Sequence, residues 1–226
     1  MLCIWKIRGK EGIEVMQARE IPRFDIANET KSKIMERALE SFAQKGFSAV
    51  SMRDIAKAVG INIASIYYHY ESKEAIFEDI LEFFERGYRH YFEWLSENNK
   101  KASSLEEVMD NMFNDEFVHM LDPVSCLGMS LAIKEQHQSE SACRCVFELF
   151  YEHSIEYIKA DFDRLIDNGL LPPSDTKTIA MLFMFCVMVS NDIRVHEYYG
   201  NEPPLSSAAI YEGLKKHLTQ TLTLGN

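Results

Sequence analysis

Apolar residues along this chain recur at steps of three and four, and alternation over four or more positions is scarce, which predicts helices in place of strands. Ser, Thr and Asp caps mark the starts, and Gly or Pro the stops. A first helix is expected from Thr30, with Ile34, Ala38, Leu39 and Phe42 on one face and Gly46 as its end. Ser51-Met52-Arg53-Asp54 has capping-box spacing, so a short helix should run over 52–59 and stop at Gly60, with a second over about 62–69. Ser72-Lys73-Glu74 opens a long helix burying Ile76, Phe77, Ile80, Phe84, Tyr88 and Tyr91 or Phe92. Ser104-Leu105-Glu106-Glu107 repeats the capping box and starts a helix to about Leu121. Further helices are expected over about 125–137, 139–168 (stopped by Gly169) and 176–199 (closed by Gly200). A last helix carries Ile210, Leu214, Leu218 and Leu222 as one stripe. The fold class is therefore all-α.

Composition narrows this little: 226 residues with 46% hydrophobic and 26% charged side chains suit a soluble globular chain of one large domain or two small ones. The longest uninterrupted apolar run, residues 179–189, falls short of the roughly 20 residues a spanning helix needs, so no membrane partner is expected. The start lacks the apolar core and cleavage site of a secretory signal, and the five cysteines form no even framework. Both point to a cytoplasmic chain. Net charge changes the picture more. The total of -11 argues against nucleic acid, yet residues 1–73 hold 12 Lys/Arg against 9 Asp/Glu and residues 74–226 hold 12 against 26. A +3 head precedes a -14 body. Within 31–73, seven basic side chains (Lys31, Lys33, Arg37, Lys45, Arg53, Lys57, Lys73) face four acidic ones.

Two short helices joined by a tight glycine turn are the geometry of a helix-turn-helix, whose second helix can enter the DNA major groove. Ile55, Ala56, Val59 and Ile61 supply its packed face, and Gly60 can take the left-handed conformation of the turn. Ile66 and Tyr70, four apart, face inward, leaving Asn62, Ile63, Ala64, Ser65, Tyr67 and His69 available, with Tyr68 beside them.

The run Gly46-Phe47, Ser51-Met52-Arg53-Asp54-Ile55-Ala56, Gly60-Ile61, Ile66-Tyr67-Tyr68-His69-Tyr70 and Ser72-Lys73-Glu74 resembles the DNA-binding domain of TetR/AcrR-family transcriptional repressors. The likeness covers about residues 30–77; beyond it the chain is similar in helical layout and in its Gly169 turn. It implies a homodimer that binds a palindromic double-stranded operator and releases it when a small molecule enters the C-terminal domain. It also implies an N-terminal three-helix helix-turn-helix domain over 30–73 and a C-terminal helical ligand-binding and dimerisation domain over 74–226. By the same likeness Ser51 meets a phosphate besides capping its helix, and Arg53 reaches a base edge or phosphate unless it pairs with Asp54 or Glu40. Tyr67 bonds phosphate or touches a thymine methyl, Lys73 contacts phosphate, and His69 is partly structural. Ile63 departs from the family, where a polar side chain is common; an exposed isoleucine could only make apolar contacts, for instance with a thymine methyl.

In the body, the helix over 176–199 is apolar on more than one face, with Ile179, Leu182, Cys186, Val189 and Ile193 as one seam and Met181, Phe185 and Met188 as another. A helix apolar all round is buried all round. The first seam is expected at a homodimer interface, completed by Ile210, Leu214 and Leu218. Met109, Met112, Phe113, Phe117, Met120, Phe147, Phe150, Met181 and Met184 are candidates to line a pocket for a mostly apolar effector, although such stripes are more often plain core. A cationic ligand paired with Asp115, Glu116 or Glu135 is the alternative.

No cofactor and no metal are expected. Cys143 and Cys145, two apart, point to different sides of a helix, which disfavours a shared ion and leaves a thiol- or metal-responsive regulator as the weaker reading. His119, His137, His153 and His196 lack ligand spacing, and no phosphate-loop, nucleophile-elbow or zincin motif points to an enzyme. Residues 1–29 are read as an N-terminal extension. Lys10-Glu11-Gly12 could be encoded by a ribosome-binding sequence, which would start translation at Val15 or Met16; otherwise Lys6, Arg8 and Lys10 form an arm able to reach a minor groove.

Overall fold

The computed structural model describes residues 5–9, 12–16, 28–112 and 123–223. Among them nine helices follow one another: α1 (Glu29–Lys45), α2 (Met52–Val59), α3 (Ile63–His69), α4 (Lys73–Asn99), α5 (Leu105–Met112), α6 (Pro123–Glu135), α7 (140–167), α8 (Thr176–Tyr198) and α9 (Ser207–Thr223). The fold is all-α, as the three- and four-residue periodicity predicts. Ahead of the helices, β1 (Trp5–Gly9) and β2 (Gly12–Met16) pair antiparallel with Gly9 opposite Gly12, a hairpin that the helical periodicity does not signal.

Helix starts follow local chemistry. The first begins one residue earlier than expected because Asn28, not Thr30, is the cap: its Oδ1 accepts from the Thr30 and Lys31 amides at 3.1 Å each. At α5 the Ser104 hydroxyl accepts from the Glu107 amide, while Glu107 reaches back to the Ser103 amide, one residue before the position a capping box uses. The predicted continuation of α5 to Leu121 lies outside the described residues, as do Phe113, Phe117, Met120, Asp115, Glu116 and His119. Pro123 opens α6, where its missing N–H costs nothing.

The helix expected over 139–168 is continuous but not uniform. Its middle, Cys145–His153, is wound as a π-helix, and the Ser154 hydroxyl donates to the Leu149 carbonyl, five residues back, at 2.9 Å. Hydrophobic spacing carries no sign of such a widening. It seats Phe150 on Tyr88 of α4, with ring centroids 4.7 Å apart.

One core runs from head to body. The tilted rings of Phe42, Phe47 and Phe77 cluster where α1 meets α4, and Tyr88, Phe92 and Phe150 form a second aromatic group, the aromatic column of the body. Gly128 of α6 lies so closely against Phe84 of α4 that a Cβ at this position would overlap the ring. Thr176–Glu197 of α8, with a mean hydropathy of 1.6, is long and apolar enough to cross a bilayer by length and composition alone, which a count of uninterrupted apolar residues misses. Its inner arc, Ala180, Phe183, Met184 and Val187, is buried as α8 packs on α6, α7 and α9.

Candidate nucleic-acid interface

The second helix of the motif is set by three local devices. Ser51 caps α2 in a full capping box: its hydroxyl accepts from the Asp54 amide, and the Asp54 carboxylate accepts from the Ser51 amide at 2.9 Å. Hydrogen bonds from the Ser51 hydroxyl and amide hold the Asp54 carboxyl below the usual carboxylate range. Gly60 ends α2 at φ 81° and ψ 28°, the left-handed region that favours glycine, and the Gly60 and Ile61 amides both donate to the Ala56 carbonyl. Asn62 then caps α3, its Oδ1 accepting from the Ser65 amide at 2.8 Å.

The inner face of α3 buries Ile66 completely, and Tyr70 closes the helix by donating its hydroxyl to Asp79 of α4 at 3.0 Å. Asp79 also pairs with Lys31 of α1 at 2.5 Å, and Lys31 lies over the Tyr70 ring. Burial, then the Asp79 charge, push the Tyr70 hydroxyl well above its usual pKa. Three helices thus meet at one pinned residue directly behind α3. Facing outward are Ala64, Tyr67 and Tyr68, the last 85% exposed with its ring edge-on to half-buried His69. On α2, Arg53 and Lys57 are exposed.

The charge of the head is more localised than its count suggests. Lys33 pairs with Glu29, Arg37 with Glu40 and Lys31 with Asp79, whereas Lys45, Arg53 and Lys57 make no ion pair among the described residues. The rival expectation that Arg53 is held by Glu40 or Asp54 fails, since Glu40 takes Arg37 and Asp54 takes Ser51. An exposed Arg without an ion-pair partner, beside a helix that presents two tyrosines, is a surface suited to phosphate and base contacts.

Residues 34–80 match the sequence profile described as "Bacterial regulatory proteins, tetR family". The head of this chain is similar to that family's DNA-binding part. Among similar proteins, the Bacillus subtilis (strain 168) protein named "Probable HTH-type transcriptional regulator YttP" is 36% identical over 85 residues, 38% of this chain and 41% of that protein. The chain therefore matches about two fifths of that relative's length. The "Biofilm operon icaADBC HTH-type negative transcriptional regulator IcaR" of Staphylococcus aureus (strain Newman) is 26% identical over 60% of this chain and 77% of its own length. The structure of the TetR-family transcriptional regulator PfmR from Thermus thermophilus superposes with a TM-score of 0.61 at 17% identity, covering 83% of this chain and 97% of that one. The last likeness is one of fold.

Several expected TetR-family contacts have other work in this structure. Lys73 donates to the carbonyls of Phe47, Ser48 and Val50 at 2.8, 3.4 and 2.9 Å and lies over the Phe47 ring, so its three N–H donors tie the α1–α2 loop to α4. The Ser51 hydroxyl donates to Asp54 at 2.5 Å, and the Ser65 hydroxyl to Asn62 at 3.1 Å. These are fold contacts that a phosphate would have to displace. Ile63 is half-buried against the core, not freely exposed, because it follows the Asn62 cap directly.

In the body, the expected pocket residues fall in three groups: Met109, Met112, Phe150 and Met184 are buried, Phe147 and Met181 are 55% and 41% exposed, and Phe113, Phe117 and Met120 lie outside the described residues. The dimer seam is also corrected: Ile179 and Ile193 turn into the protomer, and Leu214 and Leu218 are consumed by packing α9 on its own body. Ile210 and Cys186 are half-buried. What α8 presents outward is Met181, Leu182, Phe185 and Val189, a stripe that mixes the two seams read from the sequence. Cys143 is half-buried and Cys145 buried, where burial pushes its thiol up to about 12. Sequence reasoning missed Ser190, Asn191 and Arg194. These polar residues stand on the inner arc of the most apolar helix, and that contrast was the signal available.

Proposed function

We propose that this chain is a ligand-responsive, DNA-binding transcriptional regulator: a cytoplasmic homodimeric repressor that reads a palindromic operator with α3 and leaves it when a small molecule occupies the helical body. The observation that carries the reading is the outward face of α3, with Tyr67 and Tyr68 exposed beside an Arg53 that no carboxylate holds among the described residues. Residues 30–73 are the reading head and 74–226 the sensing and dimerising body. The outward stripe of α8 supports dimerisation, since Phe185 alone is 65% exposed and a monomer gains nothing by showing it to water. It supports a partner helix over a bilayer because Asp192 and His196 continue the same outward arc. Two heads about 34 Å apart would meet successive major grooves.

Communication between the halves has a physical route. The last turn of α6 reaches the head where the Phe47 amide donates to Glu135 at 3.4 Å, and α1 packs along α6. A ligand that shifts α6 moves the α1–α2 loop and, through Lys73 and Asp79, the seat of α3. No catalytic role is assigned.

The test is fluorescence anisotropy with operator DNA across a salt series. Affinity falling as a power of salt concentration supports the reading. Affinity that is absent at low salt, or indifferent to salt, overturns it.

A further inference from the structure

Four helices of the body turn polar groups toward one another in its interior. Tyr88 of α4 is enclosed, and its hydroxyl has no hydrogen-bond partner among the described residues. Burial, then the neighbouring Tyr211 of α9 and Cys126 of α6, push that hydroxyl well above its usual pKa. From α8, Asn191 is 2% exposed and donates to the Ser130 hydroxyl of α6 at 3.2 Å, which leaves its Oδ1 unpaired among the described residues. Ser190, fully buried, faces the Tyr211 hydroxyl. Arg194, one turn from Ser190, has its Nε–H shut off from solvent without a partner, and no carboxylate pairs with it among the described residues.

An apolar ligand would leave this set as it stands. Enclosed donors without acceptors cost desolvation free energy, and a guanidinium next to them costs more unless a negative charge answers it. The donors are a phenol and a guanidinium, the groups that bind a carboxylate by charge-assisted hydrogen bonds. Beside the phenol stand Phe150 and Phe92, whose rings lie 4.7 and 5.6 Å from that of Tyr88.

We propose that the body binds a small organic carboxylate, its charged end on Arg194 and the Tyr88 hydroxyl and its apolar remainder against the aromatic column. This rests on the reading of the chain as a ligand-responsive regulator, and it replaces the mostly apolar effector expected from the Met and Phe content. Ser130 and Gly128 lie on α6, the helix that ends on the head at Glu135 and that Asn191 of α8 holds through Ser130, so a carboxylate at Arg194, one turn along α8, acts beside the helix that reaches the α1–α2 loop.

The probe is benzoate, with benzamide as its neutral twin, and the readouts are the melting temperature of the full chain and operator binding by the same preparation. Benzoate is expected to raise the melting temperature by about 5 °C at roughly 100 times its dissociation constant. Benzamide at equal concentration should do less than half as much. Arg194→Gln and Tyr88→Phe should each reduce the benzoate shift at least threefold, while Arg194→Lys retains part of it. Because the enclosed Nε–H of half-buried Arg194 has no partner among the described residues, Arg194→Gln should melt no lower than the parent without ligand, which an Arg needed for packing would not allow. The proposal is overturned if benzoate gives no shift, if benzamide matches it, or if the shift survives in Arg194→Gln. Operator binding separates this from the wider reading: DNA bound without any benzoate response defeats the carboxylate site alone, and no DNA binding defeats the regulator.

Discussion

The head and the body use their polar and apolar groups in opposite ways. In the head, polar side chains near the backbone close the structure on itself: Ser51, Asn62 and Ser72 cap three successive helices, and Lys73 fills three carbonyls. Arg53, Lys57, Tyr67 and Tyr68 stand outward on α2 and α3. In the body the pattern inverts, with enclosed polar groups lacking partners at Tyr88, Asn191 and Arg194 among the described residues and apolar groups in the open along α8. A unit of the first kind is finished as a single chain. On the function proposed above, a unit of the second kind is completed by something else, a second copy on the outside and a ligand within.

The largest effect that could break this comparison is on α8. Phe185→Glu places a charge in the middle of the outward stripe and should convert the dimer to monomer in sedimentation equilibrium, with operator affinity falling about 100-fold or more as bivalent binding is lost. An unchanged dimer would mean that the stripe is not the interface. Next comes Lys73→Ala, which strips three carbonyls of their donor and should cost about 2–3 kcal/mol in denaturant unfolding. A phosphate-contacting lysine would instead leave stability alone and lower the salt slope of DNA binding by about one.

Within the body, Gly128→Ala drives a methyl group into the Phe84 ring and should destabilise by about 1–3 kcal/mol. A neutral outcome would show that α4 and α6 slide apart easily, which would sharpen the idea that α6 is the moving part. The smallest change is Arg53→Ala. With no ion pair to lose among the described residues, it should leave the unfolding midpoint within about 0.5 kcal/mol of the parent while weakening operator binding by about 1–3 kcal/mol.

The head was legible in the sequence because its determinants are local. A cap, a glycine in the left-handed region and a three- or four-residue apolar step each act within one helical turn, so Ser51, Gly60 and Ile66 could be assigned from spacing alone. The roles of Lys73 and Arg53 could not. Lys73 meets carbonyls 23 to 26 residues away, and Arg53 has no ion pair among the described residues, where Glu40 pairs with Arg37. In the body the apolar residues of α8 were evident, but which of two seams faces out depends on where α6 and α7 lie, and Ile179 and Ile193 went inward. The π-helical middle of α7 and the interior cluster at Arg194 arise from packing between distant segments, which no periodicity encodes.

The most direct test of the central claim is selection of DNA from a random-sequence library by the full chain. The account predicts enrichment of a two-fold symmetric sequence whose half-sites lie about one helical turn apart, with enrichment lost in a Tyr67→Ala, Tyr68→Ala double variant that still dimerises. Enrichment of no sequence, or of one that the double variant selects equally well, would contradict it.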